Sequence, residues 1–252
     1  MSDSRFTSPS GNAAVGLVEI QRTGEVLSFT LNNPERGNEV TGAMLDTMLA
    51  ELHAEATQPR ARVLRIRARG RVFCTGRERA ARDAGSVRME AARIIEFKRI
   101  VRTCPLISVA EVQGDAFGFG MGLAIVCDFP LVSENASLCF PEMRHGLAPA
   151  AIMAYLGEYA LPRFAFPLVL FGEPFTPQRA LEMGQISNVC AAETLAGEAD
   201  ALVARILQLD PVAARRCKEF FLNAQNHNFA QNSQLAVEAL TQGTLDMLAR
   251  KK

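Results

Sequence analysis

The chain alternates between short apolar runs and longer segments whose apolar residues recur at helical spacing, the pattern of an α/β protein. Leu17-Val18-Glu19-Ile20 and Val26-Leu27-Ser28-Phe29-Thr30-Leu31 flank Thr23-Gly24 and read as two strands around a turn. Asn32-Asn33-Pro34-Glu35-Arg36-Gly37-Asn38 has the composition of a loop. Thr41 stands where it can cap a helix over 42–56, with Met44, Leu45, Met48, Leu49 and Leu52 on one face. In Val63-Leu64-Arg65-Ile66-Arg67-Ala68 the apolar residues alternate with arginines, which predicts a strand with one wet or charge-paired face. A helix over 87–102 leads to Leu106-Ile107-Ser108-Val109-Ala110, an apolar run suited to a buried strand. Leu123-Ala124-Ile125-Val126 reads as a buried helix. Further on, helices are expected over 146–159, 161–172 and 177–183, then a short strand over 186–190. From 191 onward everything reads as helical, over 195–209, 211–224 and 231–249. Each of these last helices is apolar on one face, as a subunit-contact module would be.

The pattern divides the chain into a polar, frayed N-terminus over 1–14, a core over 15–194 and a helical module over 195–252. The first segment lacks the charged-then-apolar pattern of a signal peptide. The formal net charge is zero, so nothing in it suggests nucleic-acid binding, and no apolar run reaches the roughly 18 residues of a membrane span. Cys74, Cys104, Cys127, Cys139, Cys190 and Cys217 form no C-x-x-C pair and have no histidine at metal-ligand spacing. They read as reduced, buried thiols of a cytoplasmic protein with no bound metal. With no G-x-S-x-G elbow either, serine-triad hydrolysis is not expected.

One stretch bears candidate chemistry: Gly114-Asp115-Ala116-Phe117-Gly118-Phe119-Gly120-Met121-Gly122, between the predicted strand and the predicted buried helix. The G-x-G-x-x-G dinucleotide fingerprint is not met, because Leu123 follows Gly122. Two readings stay open, a turn that packs a helix tightly and an oxyanion hole in which a turn amide holds developing negative charge. A second glycine-bounded turn, Gly70-Arg71-Val72-Phe73-Cys74-Thr75-Gly76-Arg77, ends the preceding strand, so two turns can each offer an amide to one ligand atom. Nine arginines lie between Arg60 and Arg82, either a salt-bridged surface or a basic rim for a phosphorylated ligand. Glu142 follows an apolar run, a setting that suits either a proton shuttle or a loop surface acid. His145 has no partner nameable from sequence, and His53 and His227 read as helix-surface residues.

Several stretches, in order, resemble the crotonase family, the enoyl-CoA hydratase/isomerase group. Leu31-Asn32-Asn33-Pro34 through Asn38 is similar to its first ligand loop, and Phe73-Cys74-Thr75-Gly76-Arg77-Glu78 to its Phe-Cys-Ala-Gly-x-Asp segment. Val112-Gln113-Gly114 through Cys127-Asp128 resembles its glycine-rich segment. Phe140-Pro141-Glu142 to Pro149, and Leu170-Phe171-Gly172 to Gly184, resemble the two motifs that follow. The resemblance implies a spiral of β-β-α turns, a C-terminal helical part that packs trimers or hexamers, and an acyl-CoA thioester as substrate, with coenzyme A entering only as part of it. It further implies that the backbone amides of Arg77 and Phe119 form the oxyanion hole, and that Arg36, Gly37, Asn38, Glu39, Thr75 and Gly76 meet coenzyme A. Hydratases of this family use two glutamates, whose positions here hold Gly122 and Glu142. With Gly122 unable to move a proton, the resemblance implies a lone shuttle at Glu142, double-bond isomerisation ahead of hydration, or an acyl-CoA-binding protein without turnover. Glu111, where small residues are usual, is expected to pair with an arginine.

Overall fold

The computed structural model describes residues 17–250; the expected frayed segment at 1–14 lies outside them. The chain builds a six-stranded sheet in the order β1(Val18–Thr23), β2(Val26–Leu31), β3(Val63–Ala68), β4(Ile107–Val112), β6(Phe129–Ser133), β8(Asn188–Cys190). The hairpin β1–β2 is antiparallel, and every later neighbour pairs in parallel. Parallel pairing needs crossovers, and the first three carry α1(Gly42–Thr57), α2(Ala84–Thr103) and α3(Phe119–Val126). A second, two-stranded sheet joins β5(Ala116–Phe117) to β7(Leu138–Cys139).

The two faces of β3 explain the layers. Leu64 and Ile66 point into the main core with the buried stripe of α1, which is the set Met44, Leu45, Met48, Leu49 and Leu52 expected from periodicity. Thr41 caps that helix by accepting from the Met44 amide at 3.2 Å. On the other face Val63, Val109, Leu131 and Cys190 pack under Leu195, Ala199, Val203 and Ile206 of α7(Leu195–Gln208). Arg65 lies on this second face and pairs with Glu111 of β4 and with Asp200 of α7, at 2.6 Å in the latter case. The charge-paired strand face and the arginine partner of Glu111 are thus one feature.

The helix expected over 146–159 is shorter. A 3-10 turn, Pro141–His145, ends at Gly146 with φ 70°, and α4(Ala150–Leu156) starts only after Pro149. A left-handed residue and a proline cut the run that periodicity joined. Then come α5(Pro162–Phe171) and α6(Pro177–Glu182), the latter capped by Thr176. After α7, α8(Pro211–Ala224) and α9(Phe229–Arg250) complete the chain. Lys218 of α8 sends its Nζ back to Leu106 O at 2.6 Å and to Asp128 Oδ2 at 2.7 Å. Asp128 also accepts from the Ser108 amide and hydroxyl, so it ties the end of α3 to β4 and α8. No helix among the described residues is long and apolar enough to cross a membrane.

Candidate active site

The site arises because two turns are zipped together. The turn after β3 approaches the start of α3 through a Cys74–Ala116 bridge and a Phe117 N–H donated to Cys74 O at 2.9 Å. Gly120 lets the helix start pass the other chain closely: a Cβ there would lie 2.2 Å from Cys74 O. The loop before α1 closes on the same turn, with Val40 N–H donated to Gly76 O at 3.1 Å, Glu78 N–H to Val40 O at 2.9 Å and Thr75 N–H to Gly37 O at 2.9 Å. Gly118 takes φ 50° and ψ −109°, which turns the chain sharply into α3. Arg77 and Phe119, one at each turn, donate their amides to no acceptor among the described residues. For Phe119 this follows from its place as the first residue of a helix, whose opening N–H groups have no carbonyl one turn back.

Beside these amides is a cavity of about 530 Å³. Glu39, Thr75, Gly76, Arg77, Phe119 and Glu142 line it, so six of the nine expected site residues come together there. Arg36, Gly37 and Asn38 do not line it. Asn38 is fully buried: its Nδ2 donates to Arg69 O and Val72 O, and its Oδ1 accepts from the Asn33 amide. Its side chain is therefore committed to holding the loop, and only backbone is left for a ligand. Arg36 is exposed and paired with Glu39 at 2.6 Å. Of the nine arginines, Arg60, Arg62, Arg65, Arg69 and Arg77 are in ion pairs, which is the salt-bridged surface, while Arg77 and Arg79 line the cavity.

Glu142 sits on the 3-10 turn that follows β7 and lines the cavity beside the start of α3. Its Oε1 faces Gly118, where a Cβ would come within 3.1 Å. Its Oε2 is buried and has no hydrogen-bond partner among the described residues. Burying a carboxylate oxygen without a partner is costly. His145 also lines the cavity at its exposed side. Cys74, behind the turn, is buried and its thiol is pushed up to about 12 by desolvation, which leaves it an inert core group. The Phe119 ring stacks on Phe97 of α2 with centroids 6.1 Å apart.

One residue of the cavity was missed from sequence. Lys98 of α2 is only 3% exposed and lines the floor with Ile94 and Ile152. Its Nζ donates to Tyr155 Oη at 2.6 Å and lies 5.1 Å from the centroids of the Phe119 and Tyr155 rings. Burial pulls its ammonium down to about 7, with the Glu142 carboxylate and Cys74 pulling the other way. The signal was in the sequence: Ile94, Phe97 and Val101 set the buried stripe of α2, and Lys98 falls on it.

Comparison with known proteins gives the family and the fold. A model of the enoyl-CoA hydratase/isomerase family matches residues 21–248. The 2,3-dehydroadipyl-CoA hydratase of Escherichia coli K12 is 30% identical over 219 residues, covering 82% of each chain. A crystal structure of a putative enoyl-CoA hydratase from Thermobifida fusca in complex with CoA superposes with a TM-score of 0.85 at 29% identity, over 94% of this chain and 96% of that one. The enoyl-CoA hydratase of Mycobacterium smegmatis shares the fold, with a TM-score of 0.87 at 22% identity over 91% of each chain. The chain therefore belongs to the enoyl-CoA hydratase/isomerase family and has the crotonase fold.

Proposed function

We propose that the protein acts on enoyl-CoA thioesters by stabilising a thioester enolate, with double-bond isomerisation favoured over hydration. The observation that carries this is that Glu142, whose buried Oε2 has no hydrogen-bond partner among the described residues, lines the same cavity as Arg77 and Phe119, whose amides are unengaged. In this reading the thioester oxygen accepts from both amides, and the positive end of α3 adds to them. Glu142 takes a proton from the carbon next to the thioester; the charge moves onto the oxygen, and the carboxylic acid returns a proton further along the chain. Each amide is worth about 3 kcal/mol of barrier reduction, and the shuttle contributes roughly 10²–10⁴-fold. Gly122 supplies no carboxylate to orient water, which is why isomerisation is favoured.

Coenzyme A would run past Thr75, Gly76 and Glu39, with Arg79 and the exposed Arg36 near its phosphates. Two further readings remain: hydration, in line with the name of the E. coli relative, and acyl-CoA binding without turnover, for which Phe119 and Gly122 speak. The deciding experiment compares conversion of 3-enoyl-CoA to 2-enoyl-CoA with hydration of crotonyl-CoA, in the wild type and in Glu142→Gln. Isomerisation should be the faster reaction and should vanish in the variant while CoA-thioester binding persists. Faster hydration of crotonyl-CoA, or an active Glu142→Gln protein, refutes the proposal.

The assembly we infer is a homotrimer or hexamer in the cytoplasm. Phe221 and Phe229 at α8–α9 and Phe166 and Phe171 on α5 are exposed, an apolar surface of the kind that subunit contacts cover. The unpaired, mostly buried thiols suit a reducing compartment. Light scattering at micromolar concentration should give a multiple of the 27.4 kDa chain mass; a monomer refutes this.

A further inference from the structure

Position 122 carries no side chain, yet the space beside it is filled. A Cβ on Gly122 would lie 2.0 Å from Lys98 Nζ and 2.5 Å from both Tyr155 Oη and Ile152 Cδ1. The amine of α2 therefore stands where a side chain from α3 would begin. Lys98 and Lys218 are both buried, but they are held differently. Lys218 has the Asp128 carboxylate at 2.7 Å. Lys98 has no carboxylate within ion-pairing distance among the described residues; its one acceptor is the Tyr155 hydroxyl, which itself donates to Gly122 O at 3.1 Å. An ammonium has three donors, so N–H bonds are left over at the cavity floor.

We propose that Lys98 is a second proton-transfer residue of this site, delivering a proton to the substrate carbon remote from the thioester while Glu142 removes one from the carbon next to it. This rests on the enoyl-thioester reading above and changes one part of it: the proton at C4 comes from Lys98, not from the Glu142 carboxylic acid. The C2–H bond breaks, its proton goes to Glu142, and its electron pair moves into the enolate whose oxygen accepts from the Arg77 and Phe119 amides; as the enolate collapses, that pair forms the C2=C3 double bond. The old C3=C4 pair takes a proton from the Lys98 ammonium at C4. The protein then holds a carboxylic acid and a neutral amine, and solvent exchange restores the starting pair.

Spacing supports the assignment. Gly122 is three residues beyond Phe119, about 4.5 Å along a helix axis. With the thioester oxygen at the Phe119 amide, a carbon three bonds from the thioester carbon lies on the order of 4 Å deeper. Nζ stands beside the residue at that spacing, 2.0 Å from where a Gly122 Cβ would be. The groups facing Lys98 are Glu142 from the 3-10 turn, the Cys74 thiol from the turn after β3 and the Tyr155 hydroxyl from α4. Phe119 and Tyr155 present their ring faces, which favour the cation. An acid whose ammonium titrates near neutrality can both give a proton and regain it.

The test uses the full-length protein and a 3-enoyl-CoA deuterated at C2, in ordinary water. In a single turnover of the wild type, no deuterium should reach C4. In Lys98→Met, kcat should fall about 10²–10⁴-fold with KM changed by no more than a few-fold. The loss of wild-type rate as pH rises through about 7 should vanish with it. Calorimetric binding of a CoA thioester should persist. If Lys98→Met does not fold, Lys98→Gln, which keeps a polar head in the same space, should show the same split. Deuterium found at C4, or Lys98 variants with wild-type kcat and pH profile, overturns the proposal. If Glu142→Gln is inactive while Lys98→Met is unaffected, the Lys98 assignment alone fails; if the wild type turns over no enoyl-CoA, both readings fail.

Discussion

Replacing Gly120 with alanine tests whether the contact between the two turns sets the catalytic geometry. The added Cβ would meet Cys74 O at 2.2 Å, Cys74 Cβ at 2.7 Å and Cys74 C at 2.9 Å. Two of these are backbone atoms of the turn that carries the Arg77 amide, and they have no rotamer to yield. Carbon atoms pack at about 3.5–4.0 Å, so the turn and the start of α3 must part by on the order of 1 Å. Overpacking of this kind costs about 1–3 kcal/mol of stability. That range falls within the ~5–15 kcal/mol stability of a typical folded domain. The same displacement pulls the Phe119 amide away from the Arg77 amide and strains the Phe117–Cys74 hydrogen bond that links them. A misplacement of about 1 Å costs on the order of 10²-fold in rate, and loss of one donor to an oxyanion costs about 10²–10³-fold. Gly120→Ala should therefore fold, bind CoA thioesters and lose about 10²–10³-fold in kcat on 3-enoyl-CoA. Gly243→Ala is the control, because a Cβ there meets nothing within 4 Å; it should keep full activity. A Gly120→Ala protein with wild-type kcat would show that the close approach at Cys74 does not position the amides.

Two further predictions concern stability. Lys218→Met leaves the Asp128 carboxylate without its cation, and loss of one partner of a buried pair costs about 3 kcal/mol; chemical denaturation should show this, and an unchanged midpoint would refute the clamp between α3, β4 and α8. Glu55 is buried, and although desolvation opposes it, the amides of Ala61 and Arg60 and the Arg22 guanidinium hold its carboxyl below the usual 4.5. A depressed folded-state pKa gives stability that is present above the unfolded value and lost as pH falls through the folded one. Wild type should therefore exceed Glu55→Gln in melting temperature at pH 7, with the gap closing as pH falls below about 4.5; a gap independent of pH would refute the ionic assignment.

Much of the fold was legible because its rules are local. The α1 stripe, the Thr41 cap and the alternation in β3 each need only neighbouring residues to be read. The helix over 146–159 failed for a local reason as well: Gly146 and Pro149 outrank a weak apolar periodicity. The loop at Asn38 shows a different limit. Its place in a ligand motif was readable, but not that its side chain is committed to Arg69 O and Val72 O, more than thirty residues away. Bonds of that separation are fixed by the parallel pairing of β2 with β3, which no window of sequence contains. The pairing of Glu111 with an arginine was expected, but its meaning required the sheet. Only when β3 and β4 lie side by side do Arg65 and Glu111 meet under α7.

Lys98 shows why matching site positions one by one falls short. Such matching asks which residue occupies position 122, and the answer, glycine, removes a proton-transfer group from the site. Geometry asks instead which atom occupies the space beside position 122, and the answer is an amine from a different helix. Neither substitution makes physical sense alone. A side chain on residue 122 would collide with Lys98 Nζ, Ile152 and Tyr155, so lysine on the α2 stripe requires glycine on α3. Conversely, an apolar residue at 98 would fit the stripe of Ile94, Phe97 and Val101 with no desolvation cost. A cation kept at that position, with a tyrosine hydroxyl as its acceptor and two aromatic faces around it, costs stability that packing does not return. A buried amine with no carboxylate at ion-pairing distance among the described residues, on the wall of the cavity that Glu142 also lines, fits the proton-transfer role proposed for it better than a purely structural one.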